Sequence, residues 1–249
     1  MSNRAARESD KPEPLSRDLV LRTALEIVDR DGVGALSMRR LGHALGKDPM
    51  AFYRHAAGKA AVLDGVVELV LDQLRVDTAD PDWVEQLRSV ARSYRSLALR
   101  HPHVVPLLVT RPLATPLGLR PLGTLRPLEA VLELLTRAGF TPASALHIYR
   151  SFIGFIHGHV LDELQELVDN HDEIDELLRL GLQRLPLRDF PLLRGLAAEL
   201  AAYDGAAELE RGLDILLSGL TTQLTTTEPL PAPEITRQLP QRQDRVNPL

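Results

Sequence analysis

Between Ser37 and Lys59 the chain reads SMRRLGHALGKDPMAFYRHAAGK, a run that admits few structures. Ser37 is placed to cap a helix with Met38, Leu41 and Leu45 inside and Arg39 and Arg40 outside. Gly46 closes that helix, because a residue without Cβ takes the left-handed backbone of a helix end at little cost. Asp48 then caps a new turn, and Pro49 falls at a first-turn position where its missing N–H leaves no bond unmade. The helix that follows, Pro49 to about His55, is too short to persist alone. Upstream, Leu21, Leu25 and Val28 recur at three- and four-residue spacing, with Leu19 and Ile27 beside them. That stripe makes an amphipathic helix from about Ser16 to Asp31, which Gly32, Val33 and Gly34 interrupt.

Two short helices joined by a tight turn, the second capped and polar outside, form a helix-turn-helix. Such a unit can lay its second helix in the major groove of DNA, which is wide enough to admit one. An ordinary three-helix packing unit contains a similar corner, so spacing alone leaves both readings open.

The residues carry a resemblance as well. The run from Ala24 through Leu63 resembles the N-terminal domain of the TetR family of bacterial transcriptional regulators. It shows Gly32, then Leu36-Ser37-Met38-Arg39-Arg40-Leu41-Gly42, then Phe52-Tyr53-Arg54-His55, then Lys59. Pro49 and the Tyr53-Arg54-His55 ending are most similar to the tetracycline-repressor branch, and a weaker likeness continues through Thr110-Arg111-Pro112 and residues 132–161.

With 249 residues, 44% of them hydrophobic, the chain can build a sizeable core as one large domain or two of moderate size. It has no cysteine, which excludes disulfides, thiolate zinc sites and thiol catalysis. A charged, polar start and the lack of any bilayer-length apolar run predict a cytoplasmic protein, with no membrane partner. The net charge of −5 argues against simple coating of nucleic acid, but its distribution is uneven. Residues 1–60 carry 11 basic and 8 acidic side chains, against 18 and 26 in the remainder. A basic head on an acidic body suits a DNA reader with a separate sensing part.

Further along, Lys59 to about Arg75 predicts a helix with Leu63, Val66, Val67, Val70, Leu71 and Leu74 spread over a broad apolar surface. One of its ends would pack in the head and the other against the body, making it a lever. A helix follows Asp80-Pro81-Asp82 and runs to Arg100, and His101-Pro102-His103 breaks it. A short helix from Val104 to Val109 should stop before Pro112, and the Pro/Gly-rich stretch from Arg111 reads as a loop beside a cavity mouth. Helices are expected from about Leu122 to Ala138 and from Thr141-Pro142 to about Val168. In the second of these, Gly154 and Gly158 allow close helix approach. An acidic short helix at 169–181, another within Pro186 to Leu200, and a last one from Ala206 to Gln223 complete the reading.

Every element is helical. The fold expected is all-α: an N-terminal three-helix domain with a helix-turn-helix, linked by a fourth helix to a larger helical ligand-binding and dimerisation domain. The boundaries expected are a disordered arm at 1–15, the DNA-binding domain at 16–62, the regulatory and dimerisation domain at 63–225, and a disordered tail at 226–249. The resemblance implies a homodimer paired through helices at about 141–168 and 206–223.

In the head, Met50, Ala51 and Arg54 should face outward because Phe52 is needed inside. Arg54 suits a bidentate bond to guanine, and Met50 and Ala51 suit a thymine methyl. Tyr53, His55 and Lys59 are phosphate candidates, although Tyr53 and His55 could equally pack on the next helix. Ser37, Arg39 and Arg40 are further phosphate candidates, Lys47 adds charge at the turn, and Pro49 opens the reading helix. The resemblance also implies an unidentified small-molecule effector bound in the body, for which an apolar cavity with a few polar groups is the usual design. Trp83, Tyr94, His101, His103, Thr110, His147, Phe152 and His157 are the candidates by placement, and core packing or surface exposure accounts for each of them as well.

In the tetracycline-repressor branch an asparagine and an aromatic hold the drug, and a histidine ligates its magnesium, with a threonine and a glutamate nearby. At the matching positions this chain has Val90, Tyr94, Leu107, Thr110 and Asp162. With the imidazole gone, the resemblance implies that branch's architecture without its drug specificity. His157 and His159 lie two residues apart and share no helix face, whereas His159 shares one with Asp162 and Glu163. No metal site, cofactor, phosphate loop or nucleophile elbow is expected, hence no enzyme. The regulator expected is a repressor released from a palindromic operator by a small, largely apolar effector. The alternative is a helical dimerisation or small-molecule-binding protein whose reading head is degenerate.

Overall fold

Local chemistry decides where the first helices begin and end. The computed structural model describes residues 15–48, 58–114, 117–168, 180–200 and 202–225. Helix α1 (Arg17–Asp31) starts where Ser16 Oγ accepts the Leu19 N–H and ends at Gly32, whose φ is +79°. Helix α2 (Met38–Leu45) starts in the same way, Ser37 Oγ accepting the Arg40 N–H at 3.1 Å. Its end at Gly46 has the left-handed backbone, and the Gly46 and Lys47 N–H groups bond back to the His43 and Gly42 carbonyls. The helix expected after Pro49 lies outside the described residues.

Helix α3 (Lys59–Leu71) lies between the two halves of the molecule. On one side it packs on α1, with Gly65 so close to Leu21 that a Cβ would collide with it. On the other it meets α5 (Val105–Ala114) and α6 (Leu122–Arg137). It ends a turn sooner than expected, with the chain tightening through Gln73 N–H to Val70 O and Leu74 N–H to Leu71 O. Helix α5 runs longer than expected, past Pro112, whose absent N–H forfeits one ladder bond near the helix end.

The body is built around α4 (Trp83–Arg100), α6 and α7 (Pro142–Val168). Asp82 caps α4 by accepting the Glu85 N–H, and Thr141 Oγ1 accepts from Ser144 N–H at the start of α7. The stretch expected as one helix within residues 186–200 is two short ones, α8 (Pro191–Gly195) and α9 (Ala197–Leu200), divided at Leu196. The last helix, α10 (Gly205–Thr225), packs on α4 and α7, with Gly212 against the ring of Phe155. Ion pairs reinforce that junction: Arg88 reaches Asp214 at 2.5 Å, and Arg92 reaches Glu210 at 2.6 Å. Deeper down, Arg95 grips both carboxylate oxygens of the buried Glu163. The described elements are all helical, and an apolar core runs from Val20 to Leu220 through both halves, to which α8 and α9 add no buried residue.

Candidate DNA-binding head and effector cavity

In the head, the start of α2 is open to solvent. Ser37 spends an oxygen lone pair on the Arg40 N–H, and its hydroxyl proton remains to donate to a phosphate. Arg39, Lys47 and Lys59 are exposed, the last at the first position of α3. Arg40 is drawn to Asp31 at 2.5 Å, so a phosphate would have to compete with that carboxylate. Pro49, Met50, Ala51, Tyr53, Arg54 and His55 lie outside the described residues.

Two histidines join the head to the body. His101 follows α4, and its Nδ1–H donates to Asp29 Oδ2 at 2.8 Å. His103, in a 3₁₀ turn over Pro102–Val104, donates from Nδ1 to the Asp29 carbonyl at 2.9 Å and to the Val28 carbonyl at 3.1 Å. Both carbonyls belong to the last turn of α1, and that of Val28 also accepts the Gly32 N–H at 2.8 Å. The other Asp29 oxygen, Oδ1, is buried without a hydrogen bond.

Behind this joint lies a cavity of about 430 Å³. Its walls come from α3 (Asp64, Val67, Leu71), α4 (Val90, Tyr94), α5 (Leu108, Val109), α6 and α7. Along α7 the lining residues Tyr149, Phe152, Ile153, Ile156 and His157 recur at three- and four-residue steps, the spacing of one helix face. The hydroxyl of Tyr94 is buried with no hydrogen-bond partner, on a residue only 3% exposed. Burial pushes its pKa up, and that of Tyr149 too, so both phenols stay protonated. The His157 ring lies 5.4 Å from that of Tyr94, and burial holds its pKa below the usual imidazole value. It is therefore neutral at neutral pH, with one donor and one acceptor nitrogen.

Of the effector candidates read from the sequence, Tyr94, Phe152 and His157 line this cavity. The others lie elsewhere. Trp83 packs edge-on against Phe140, with 5.3 Å between ring centres. Thr110 is exposed, its hydroxyl donating to the Pro106 carbonyl, and His147 is exposed on α7. His101 and His103 serve the head–body joint. The cavity also takes Asp64, Arg120, Thr124, Tyr149 and Arg150, which sequence reasoning did not select. The α7 periodicity carries a signal for Tyr149, whereas Arg120 comes from the proline-rich stretch before α6 and Thr124 from the first turn of that helix.

At positions matched to the drug site of the tetracycline-repressor branch, Val90 and Tyr94 line the cavity, Leu107 is buried beside it and Asp162 is exposed. Among the described residues no three acids or histidines gather where a metal ion could be held. His159 Nε2 stands 3.6 Å from Glu163, but Arg95 already occupies that carboxylate.

With this geometry in place, known proteins supply the comparison. Residues 77–224 match the family described as "Tetracyclin repressor-like, C-terminal domain". The chain belongs to the TetR family of transcriptional regulators. An HTH-type transcriptional regulator of Saccharopolyspora erythraea is 30% identical over 221 residues, covering 87% of this chain and 89% of that protein. The class C tetracycline repressor protein of Escherichia coli is 28% identical, over 86% of this chain and 94% of its own. Among solved structures, the Streptomyces coelicolor TetR-family protein ActR in complex with actinorhodin superposes with a TM-score of 0.73 at 29% identity. That match covers 85% of this chain and 99% of ActR. The TetR-family fold and this homology make the protein a DNA-binding regulator and not an enzyme. No helix among its described residues is long and apolar enough to cross a membrane.

Proposed function

We propose that the protein is a homodimeric, cytoplasmic repressor that leaves a palindromic operator when a small, largely apolar effector fills the cavity. The observation that carries this reading is the double contact of α3. One side of that helix holds α1 through Gly65 and Leu21, and the other contributes Val67 and Leu71 to the cavity wall. A ligand that presses on those two side chains acts on the element from which the head is hung. Release then requires only that the ligand fit one setting of α3 better than the other.

Pairing of two copies is supported by the faces that α7 and α10 leave bare. A Cβ added at Gly154, Gly158 or Gly219 would meet nothing within 4 Å, and Ile215 is 78% exposed. Small residues and an exposed isoleucine on neighbouring helices suit close packing against a second copy, whose symmetry would present two heads to a palindrome. In each head Met50, Ala51 and Arg54 would meet bases from the helix opened by Pro49. Ser37, Arg39, Arg40, Lys47, Tyr53, His55 and Lys59 would hold phosphates. ActR, similar along most of the chain, has been captured with actinorhodin, which supports an organic ligand for a cavity in this setting.

The test is a footprint of the purified protein on DNA flanking its own gene, beside the Arg54→Ala protein. A protected palindrome that is lost in the variant is the expected result. Protection that survives the substitution, or covers one unsymmetrical half-site, would remove the proposed reader or the proposed symmetry. Adding candidate compounds to the same assay then reads out release.

A further inference from the structure

We infer that Asp31 withholds Arg40 from DNA of arbitrary sequence and yields it to a phosphate only at the operator, which makes this carboxylate a determinant of specificity. The inference rests on DNA binding by the head, and neither on the effector nor on the symmetry of the operator. Asp31 is the last residue of α1. A carboxylate there faces the negative end of the helix dipole, so the stability of α1 does not account for it. Instead it holds two cations. Its Oδ2 accepts from Arg30 Nε at 2.8 Å and from Arg40 Nη2 at 2.5 Å, the second across the 3₁₀ turn that separates α1 from α2. Arg40 is thereby set apart, since the exposed Arg39, Lys47 and Lys59 meet no acid among the described residues.

Arg40 belongs to the first turn of α2, where its backbone N–H is already held by Ser37 Oγ. A phosphate at that helix end would meet the positive end of the dipole and the Ser37 hydroxyl. To join them, Arg40 would swing away from Asp31. The Asp31 and Arg40 side chains are 30% and 41% exposed, so the swing needs no unfolding of the head. It exchanges one exposed ion pair for another, a change close to neutral. The outcome is then set by how firmly the phosphate is presented. Base contacts at an operator fix the head in register and keep one phosphate in place, whereas on other sequences the head is held by phosphates alone and slides. Asp31, tethered in the same chain, wins that competition on random DNA and loses it at the operator.

The test is binding of the full-length protein to a random-sequence duplex of about 30 base pairs, followed by fluorescence anisotropy from about 50 to about 300 mM salt. Asp31→Asn should bind this duplex about fivefold more tightly at the lowest salt, as suits an exposed ion pair set free. Its plot of log affinity against log salt should steepen by about one for each head in contact. Asp31→Glu should keep the parent's shallower slope, and adding Arg40→Gln to Asp31→Asn should abolish the gain. That double variant separates Arg40 from Arg30, the other cation released. Arg40→Gln alone should leave random-DNA affinity and slope as they are. On the palindrome protected in the footprint it should weaken binding and lower the slope by about one per head. A merely structural tie between α1 and α2 would not move the slopes in this pattern. An unchanged random-DNA slope in Asp31→Asn, a gain that survives the loss of Arg40, or a lower random-DNA slope in Arg40→Gln would overturn the withholding. The last of these does not depend on how well Asp31→Asn folds. Equal steepening of the Asp31→Asn slope on palindrome and random DNA would overturn the transfer at the operator. A footprint without a palindrome removes the operator's symmetry and leaves the random-DNA measurements to decide.

Discussion

A buried hydroxyl without a partner is a defect in the empty protein, and Tyr94 carries one. Replacing Tyr94 with phenylalanine should therefore leave the unliganded protein as stable or more so, by up to about 1 kcal/mol in urea denaturation. A marked destabilisation would mean that the hydroxyl has a partner after all. His157 behaves differently, because burial lowers its pKa in the folded state below the unfolded value of about 6.5. The unfolded chain then takes up a proton first, so stability is full above that pH and declines as pH falls through it toward the folded pKa. Denaturation midpoints measured from pH 8 to pH 5 should show this slope, flattened in His157→Gln. At this scale the sequence was informative about identity and poor about location. Tyr94 and His157 stand out as polar rings on apolar helices, but so do Trp83 and His147. Only packing separates a ring that faces a void from one set edge-on against Phe140 or standing in solvent.

Helix α3 shows what one element can and cannot reveal in advance. Its apolar residues cover more of its surface than one packing partner needs, which marks it as a helix between two bodies. Its ends were legible to within a turn, as were the helix starts at Ser16 and Asp82 and the caps at Ser37 and Gly46, because capping is chemistry between near neighbours. The lining of the cavity was legible only in part, since the space is left by five helices and belongs to none of them. The closeness of α1 and α3 was hidden for a similar reason, because a glycine in a helix gives no sign of what lies over it. Gly65→Val should force Leu21 aside and cost about 1–3 kcal/mol, read from the denaturation midpoint. The histidine joint gives a subtler test. His101→Ala removes the hold on Asp29 and should leave ligand affinity intact while blunting ligand-driven release from DNA. An undiminished release response would show that α3 transmits alone.

For the molecule as a whole, the proposed pairing makes the strongest demand. Gly158→Arg combined with Ile215→Glu places bulk and charge on faces left open among the described residues, so each copy should fold normally. Sedimentation should then find monomers, and operator affinity should fall by at least a hundredfold as the two heads lose their linkage. A persistent dimer would put the interface elsewhere. Binding of the intact protein should also weaken steeply as salt rises, because phosphate contacts release counterions even when the overall charge is −5. The double contact of α3 has a practical corollary for anyone who wants to change what this protein detects. Under the proposed release, Thr124 and Leu128 would meet a guest from α6, a neighbour of α3, whereas Val67 and Leu71 would meet it from α3 itself and move the head directly. Diversifying the α6 rim should yield sensors for new compounds that still report on DNA. Diversifying α3 should yield variants stuck on or off, with the guest bound and the message lost.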